Sequence, residues 1–246
     1  MYEYYSPCLG PWVVLQYFLS RLRNFIFLLK MAAPRRGYDA FSAPLYEWCN
    51  AVSMVFALLC GVACARELGW SRGSCAMLVT TALHLPVSFG YHAGCALRCF
   101  ESRVDNAARM MDQSMVLVAC AAAAYCTSAS TAYAALVTAW AASGIPAVWS
   151  APTTEALRRR RRTTIAGGVA LYMAPTARRA LASADERVNL LAAFVCFGMG
   201  ARCLVENRKS LRGWGHCVFH VWIAGLQVAI IRSGLHAWRG VEGWSV

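Results

Sequence analysis

Residues 213–236 read Gly213-Trp-Gly-His216-Cys-Val-Phe-His220-Val-Trp-Ile-Ala-Gly-Leu-Gln-Val-Ala-Ile-Ile-Arg-Ser-Gly-Leu-His236. The run is long, mostly apolar and lacks period-two alternation, so it predicts a helix and not a strand. About 20 such residues cross roughly 30 Å of hydrocarbon with every backbone amide bonded inside its own helix. Moving outward from this run, six earlier stretches have the same character, at about 44–65, 75–95, 109–127, 130–149, 163–181 and 188–205. The stretch at 163–181 is the most interrupted, with Gly167, Gly168 and Pro175 inside it and Arg178 close to its end. Internal Gly and Pro are tolerated where neighbouring helices re-satisfy the backbone. The expected fold is all-α: an integral membrane bundle of seven helices occupying 44–238.

Composition supports that expectation. Of 246 residues, 59% are hydrophobic and 15% charged, and a mean hydropathy of +0.43 is too high for an ordinary soluble domain. The net charge of +12 does not point to nucleic acid, because the basic residues sit in short connectors and form no stripe with interleaved aromatics. Lys30, Arg35, Arg36, Arg98, Arg103, Arg109, Arg158 to Arg162, Arg208, Lys209 and Arg212 fall on the side where the first span begins. Only Arg66, Arg72, Arg178, Arg179, Arg187 and Arg239 fall on the other. Short loops rich in Lys and Arg resist translocation, so the first side is expected to be cytoplasmic and the C-terminus lumenal or extracellular, in an endomembrane (ER or Golgi) or the plasma membrane. The five-arginine run is first a topology signal and second a site for anionic headgroups. The 12 cysteines form no C-x-x-C pair and read as small packing residues. Residues 1–43 form a basic N-terminal segment whose 11–29 stretch carries Arg21 and Arg23 and has no signal-type cleavage site. An interfacial helix, an imperfect extra span and an extension upstream of a start at Met31 all fit it.

Polar side chains inside spans cost roughly 2.5–3.5 kcal/mol for a central Asp or Lys, so each needs a partner or a task. They are few here: Glu47, Asn50 and Ser53 early in the first span, Ser88 and His92 late in the second, Asp112 early in the third, and His216 and His220 early in the seventh. Seven alternating spans put all these helix ends on one membrane face. Ser88 and His92 are four apart, as are His216 and His220, so each pair shares a helix face. Two imidazoles from one helix and one from another supply three corners of a tetrahedron, the protein share of an open intramembrane zinc site. Nitrogen ligands favour zinc over magnesium or calcium and leave manganese and iron open. Asp112 is then placed to act as general base toward an activated water and Ser88 to steady the water or a developing oxyanion. His84 and His236 read as packing or interfacial histidines, and Cys217 points to another face than His216. A haem site needs His pairs facing each other, usually without an acid among them, and fits poorly.

At these positions the chain resembles the CREST superfamily of seven-span proteins, which includes alkaline ceramidases, the progestin and adiponectin receptors with haemolysin III, and lipases that remodel glycolipid anchors. The resemblance lies in Ser88-Phe-Gly-Tyr-His92, Asp112 and His216-Cys-Val-Phe-His220, in that order and in the second, third and seventh spans. Glu47-Trp-Cys-Asn50-Ala-Val-Ser53 is similar to the first-span pattern of the ceramidases, and the receptors begin similarly. The interval between His92 and Asp112 is longer than in ceramidases, and Gln113-Ser114 follows Asp112 where they carry Glu-Leu, so the branch stays open. The resemblance implies His92, His216 and His220 as zinc ligands, Asp112 and Ser88 as the catalytic pair, and Glu47 with Asn50 as supporting residues. It implies a hydrolase acting on the acyl amide or ester bond of a membrane lipid, ceramide-like in the ceramidase branch. A receptor with a structural zinc, a glycolipid-anchor lipase and an inactive member of the fold are its alternatives.

Overall fold

A computed structural model describes residues 43–207 and 210–242, so the N-terminal segment expected over 1–43 lies outside the described residues apart from Ala43. Seven helices follow in chain order: α1 (Pro44–Leu68), α2 (Arg72–Ala96), α3 (Ala107–Ser128), α4 (Thr131–Trp149), α5 (Glu155–Ala180), α6 (Ala184–Glu206) and α7 (Gly215–Glu242). Six of them, all but α5, are long and apolar enough to cross a membrane.

The helix boundaries follow from local chemistry. Pro44 starts α1 at a position where its missing N–H costs nothing. The side chains of Ser71, Asn106, Ser130, Thr154 and Ser183 each accept from a backbone N–H in the first turn of α2 to α6. Ser71 and Ser74 do so reciprocally, as a capping box. Before α7, Gly213 takes φ +100°, which an L side chain rarely adopts, and lies against the ring of Tyr46. Two residues later the chain passes so close to the Cys203 carbonyl that a Cβ on Gly215 would sit 2.2 Å from it. That tight crossing sets where His216 enters the bundle.

The fifth helix starts at Glu155, about eight residues before the apolar run, and takes Arg158 to Arg162 into its first turns instead of leaving them in a connector. Thr154 caps it through Leu157 N at 3.2 Å, and Glu155 pairs with Arg158 and Arg162. One of the five arginines is buried: Arg161 donates from Nε to Ala147 O at 2.7 Å and from Nη2 to Val148 O at 3.0 Å and Ser150 O at 3.1 Å. It thereby satisfies carbonyls at the end of α4 that have no partner within their own helix. At its other end α5 places Arg179 Nη1 2.6 Å from Thr127 O, at the end of α3, and Nε 2.9 Å from Glu186 Oε1, at the start of α6. The helix therefore traverses the bundle from the end of α4 to the end of α3.

α7 packs against α1, α2, α3 and α6, while α3 also contacts α2, α4 and α5. The core between them mixes large side chains such as Met77, Leu78, Tyr172 and Met173 with small ones, and Ala65, Ala123, Ala124, Cys120, Cys126 and Ala229 are buried around Ile230 and Ile231, which lets backbones approach closely there. α1 carries its polar and small residues inward (Glu47, Asn50, Ser53, Ala57, Gly61) and leaves Val52, Phe56 and Leu59 exposed. α6 does the same with Val188, Leu191 and Phe194 outward. This arrangement inverts a water-soluble helix, whose apolar stripe faces the core. Every described cysteine is a free thiol; Cys64, Cys95, Cys120, Cys126 and Cys203 are buried as expected, whereas Cys60, Cys75 and Cys99 face outward.

Candidate metal centre

His92 stands late on α2, and His216 and His220 stand on the first turns of α7, where α1, α2, α3 and α7 meet. One nitrogen from each ring can be chosen so that all three lie within 4.8 Å of one another. The ring centroids are 4.8 Å apart for His92 and His216 and 4.7 Å for His216 and His220, in edge-on contacts. A tetrahedral ion with bonds of about 2.0–2.1 Å would place its ligands ~3.4 Å apart, so the rings would have to move inward by up to about 1 Å to hold one.

α1 orients two of the three rings. Nδ1 of His92 lies 2.7 Å from Glu47 Oε2. A carboxylate accepts only, so that nitrogen carries the proton and Nε2 keeps its lone pair. Nε2 is buried with no hydrogen-bond partner, which is the donor a metal ion would use. Nδ1 of His220 lies 2.6 Å from Ser53 Oγ, and the same hydroxyl lies 3.0 Å from Asn50 O. In the tautomer that carries its proton on Nδ1, His220 donates to Ser53 Oγ while Ser53 donates to the Asn50 carbonyl, and the lone pair of His220 then sits on Nε2. Glu47, Asn50 and Ser53 are spaced by three and share the inner face of α1, so one helix supports ligands from two others.

Glu47 is wholly buried, and its second oxygen is engaged too: Arg103 Nε and Nη2 reach Oε1 at 2.7 Å and 2.6 Å. Arg103 belongs to the connector between α2 and α3. Burial opposes its charge, but Tyr91 and the Glu47 carboxylate outweigh that and hold its pKa above the ordinary arginine value.

Ser88 and Asp112 are beside each other, one turn from His92 toward the middle of the bundle. Asp112 Oδ1 lies 3.0 Å from His84 Nε2, with both side chains mostly buried. His84 was expected to be a packing histidine; it instead partners the carboxylate, and His84, Ser88 and His92 form one inner ladder at intervals of four. That spacing was visible in the sequence and carried the signal. Arg103 left no such signal, because in the sequence it reads as one more connector charge. His236 lies twenty residues beyond His216 on the same helix, roughly 30 Å away, and takes no part.

The described residues thus bring all three expected ligands together, with Ser88 and Asp112 alongside. Compared with family models, with curated proteins and with solved structures, the chain finds no match in any of the three.

Proposed function

We propose that this chain is a seven-span, zinc-dependent hydrolase of the CREST type that cleaves the acyl amide or ester bond of a membrane lipid. The observation that carries this reading is the unpartnered Nε2 of His92, buried beside His216 and His220 with Ser88 and Asp112 one turn away. Three histidines without a fourth protein ligand among the described residues fit an open catalytic site better than a closed structural one. An ion held there supplies Lewis-acid chemistry, polarising a carbonyl and activating water near neutral pH. Asp112 accepts the water's proton, with His84 fixing the carboxylate through its 3.0 Å contact. Ser88 donates its hydroxyl proton toward charge developing on the carbonyl oxygen. A lipid substrate suits the outward apolar faces of α1 and α6, which put hydrocarbon against the bundle that holds the site. Once an ion is held, the two histidines engaged from α1 leave little further reorganisation for the reaction.

The test is release of free fatty acid from a panel of ceramides, diacyl phospholipids and acylated glycolipids, read by mass spectrometry with purified protein in lipid nanodiscs supplied with Zn²⁺. Turnover of one lipid class is expected, with Asp112→Asn slower by about 10²-fold or more. Release no greater than that of a His216→Ala/His220→Ala variant, for every lipid, would contradict the proposal.

A further inference from the structure

We infer that Arg103 is a positioning residue for the metal centre: its two donors hold Glu47 so that the carboxylate keeps His92 Nε2 aimed at the ion. The inference rests on reading the three histidines as a metal site. Both Arg103 donors converge on Oε1, which leaves Oε2 for His92 Nδ1. Without that grip the carboxylate could rotate and carry the imidazole with it, since Glu47 has three side-chain torsions of its own.

Arg103 is itself held in place. Its carbonyl accepts from Tyr91 OH at 3.3 Å, next in sequence to His92, and from Asn106 Nδ2 at 3.1 Å, the cap of the helix that carries Asp112. Ser102 Oγ accepts from the backbone N–H groups of Val104 and Asp105, and Asp105 reaches across to the Thr153 N–H at 2.9 Å. The connector is therefore a built structure, fixed at both ends and to the α4–α5 junction. The interval between His92 and Asp112 thereby delivers a cation to the carboxylate behind His92.

Charge alone predicts the opposite sign, because a guanidinium near a cation site repels the ion. Arg103→Lys separates the two effects: it keeps the charge and loses the two-pronged grip. The measurement is the zinc Kd of the purified full-length protein by competition with a chromophoric chelator. The visible spectrum of the cobalt-loaded form reports ligand geometry. Loss of an outer partner of a ligating histidine weakens binding by about 10–100-fold, and that is the expected result for Arg103→Lys, with an altered cobalt spectrum. In a Glu47→Ala background the same change should alter Kd less than about twofold, because the two residues act as one unit. Thermal unfolding of the metal-free proteins checks folding. Should Arg103→Lys not fold, Tyr91→Phe frees the Arg103 backbone and should weaken binding several-fold. Wild-type affinity in Arg103→Lys or in the substitute variant, or a loss that persists without Glu47, overturns the inference and leaves the metal site standing. A wild-type protein that binds neither zinc nor cobalt overturns the metal reading and this inference with it.

Discussion

Two of the three clustered histidines have Nδ1 engaged from α1, one by a carboxylate and one by a hydroxyl. The two outer partners differ in kind. Glu47 engages His92 through a carboxylate oxygen whose twin is gripped by Arg103, whereas Ser53 engages His220 through a neutral hydroxyl. Ser53→Ala removes the acceptor for His220 Nδ1–H and should weaken zinc binding about tenfold while leaving the fold intact; an unchanged Kd would show that Ser53 does not orient the ligand. At this scale the sequence was informative where spacing repeats. His-x-x-x-His on α7 and Ser-x-x-x-His on α2 are readable because 3.6 residues per turn align such pairs. His84 extends the second series by one step. Arg103 and its bond to Glu47 were unreadable, since a pairing across 56 residues depends on how the connector folds and not on any period.

Among the elements, α5 departs most from expectation. Its arginines were expected in a connector, yet a capped start and good helix propensity carry the helix back to Glu155. Burial of Arg161 could not be read from a run of five like residues, because which one faces inward depends on the helix phase. Its consequence is energetic. Replacing Arg161 with Leu leaves the Ala147, Val148 and Ser150 carbonyls without their donor, at a cost of about 1.5–3 kcal/mol for a charged hydrogen bond lost. Thermal unfolding in detergent should show a clear drop for Arg161→Leu and almost none for exposed Arg159→Ala. Equal effects would contradict a capping role for Arg161. The other six helices lie close to the apolar runs that announced them, because span length is set by hydrocarbon thickness and is read directly as a count of apolar residues.

For the molecule as a whole, the helix order puts the start of α7 and the end of α2 together only if α5 passes through the bundle, and its hydrogen bonds to the ends of α4 and α3 do carry it through. Six apolar helices with outward hydrophobic faces describe a multi-pass membrane protein. Under the proposed seven-span reading, in which α5 also crosses, the histidine cluster and the C-terminus would lie on opposite sides of the membrane. A glycosylation-acceptor tag fused after Val246 should be modified in the lumen, and one inserted in the 207–214 connector should not. Modification of the connector tag would reverse the orientation drawn from the charge distribution. The inward polar faces on α1, α2 and α7 were legible as costly residues in apolar runs; the order in which they touch needed three dimensions.

The most direct test of the central claim is the metal content of the purified, detergent-solubilised protein by elemental mass spectrometry, beside a His216→Ala/His220→Ala variant of matched folding. The account predicts about one zinc per wild-type chain, as a single site of three histidine ligands requires, and none in the variant. A wild-type protein without bound metal, or a variant that keeps it, would contradict the account.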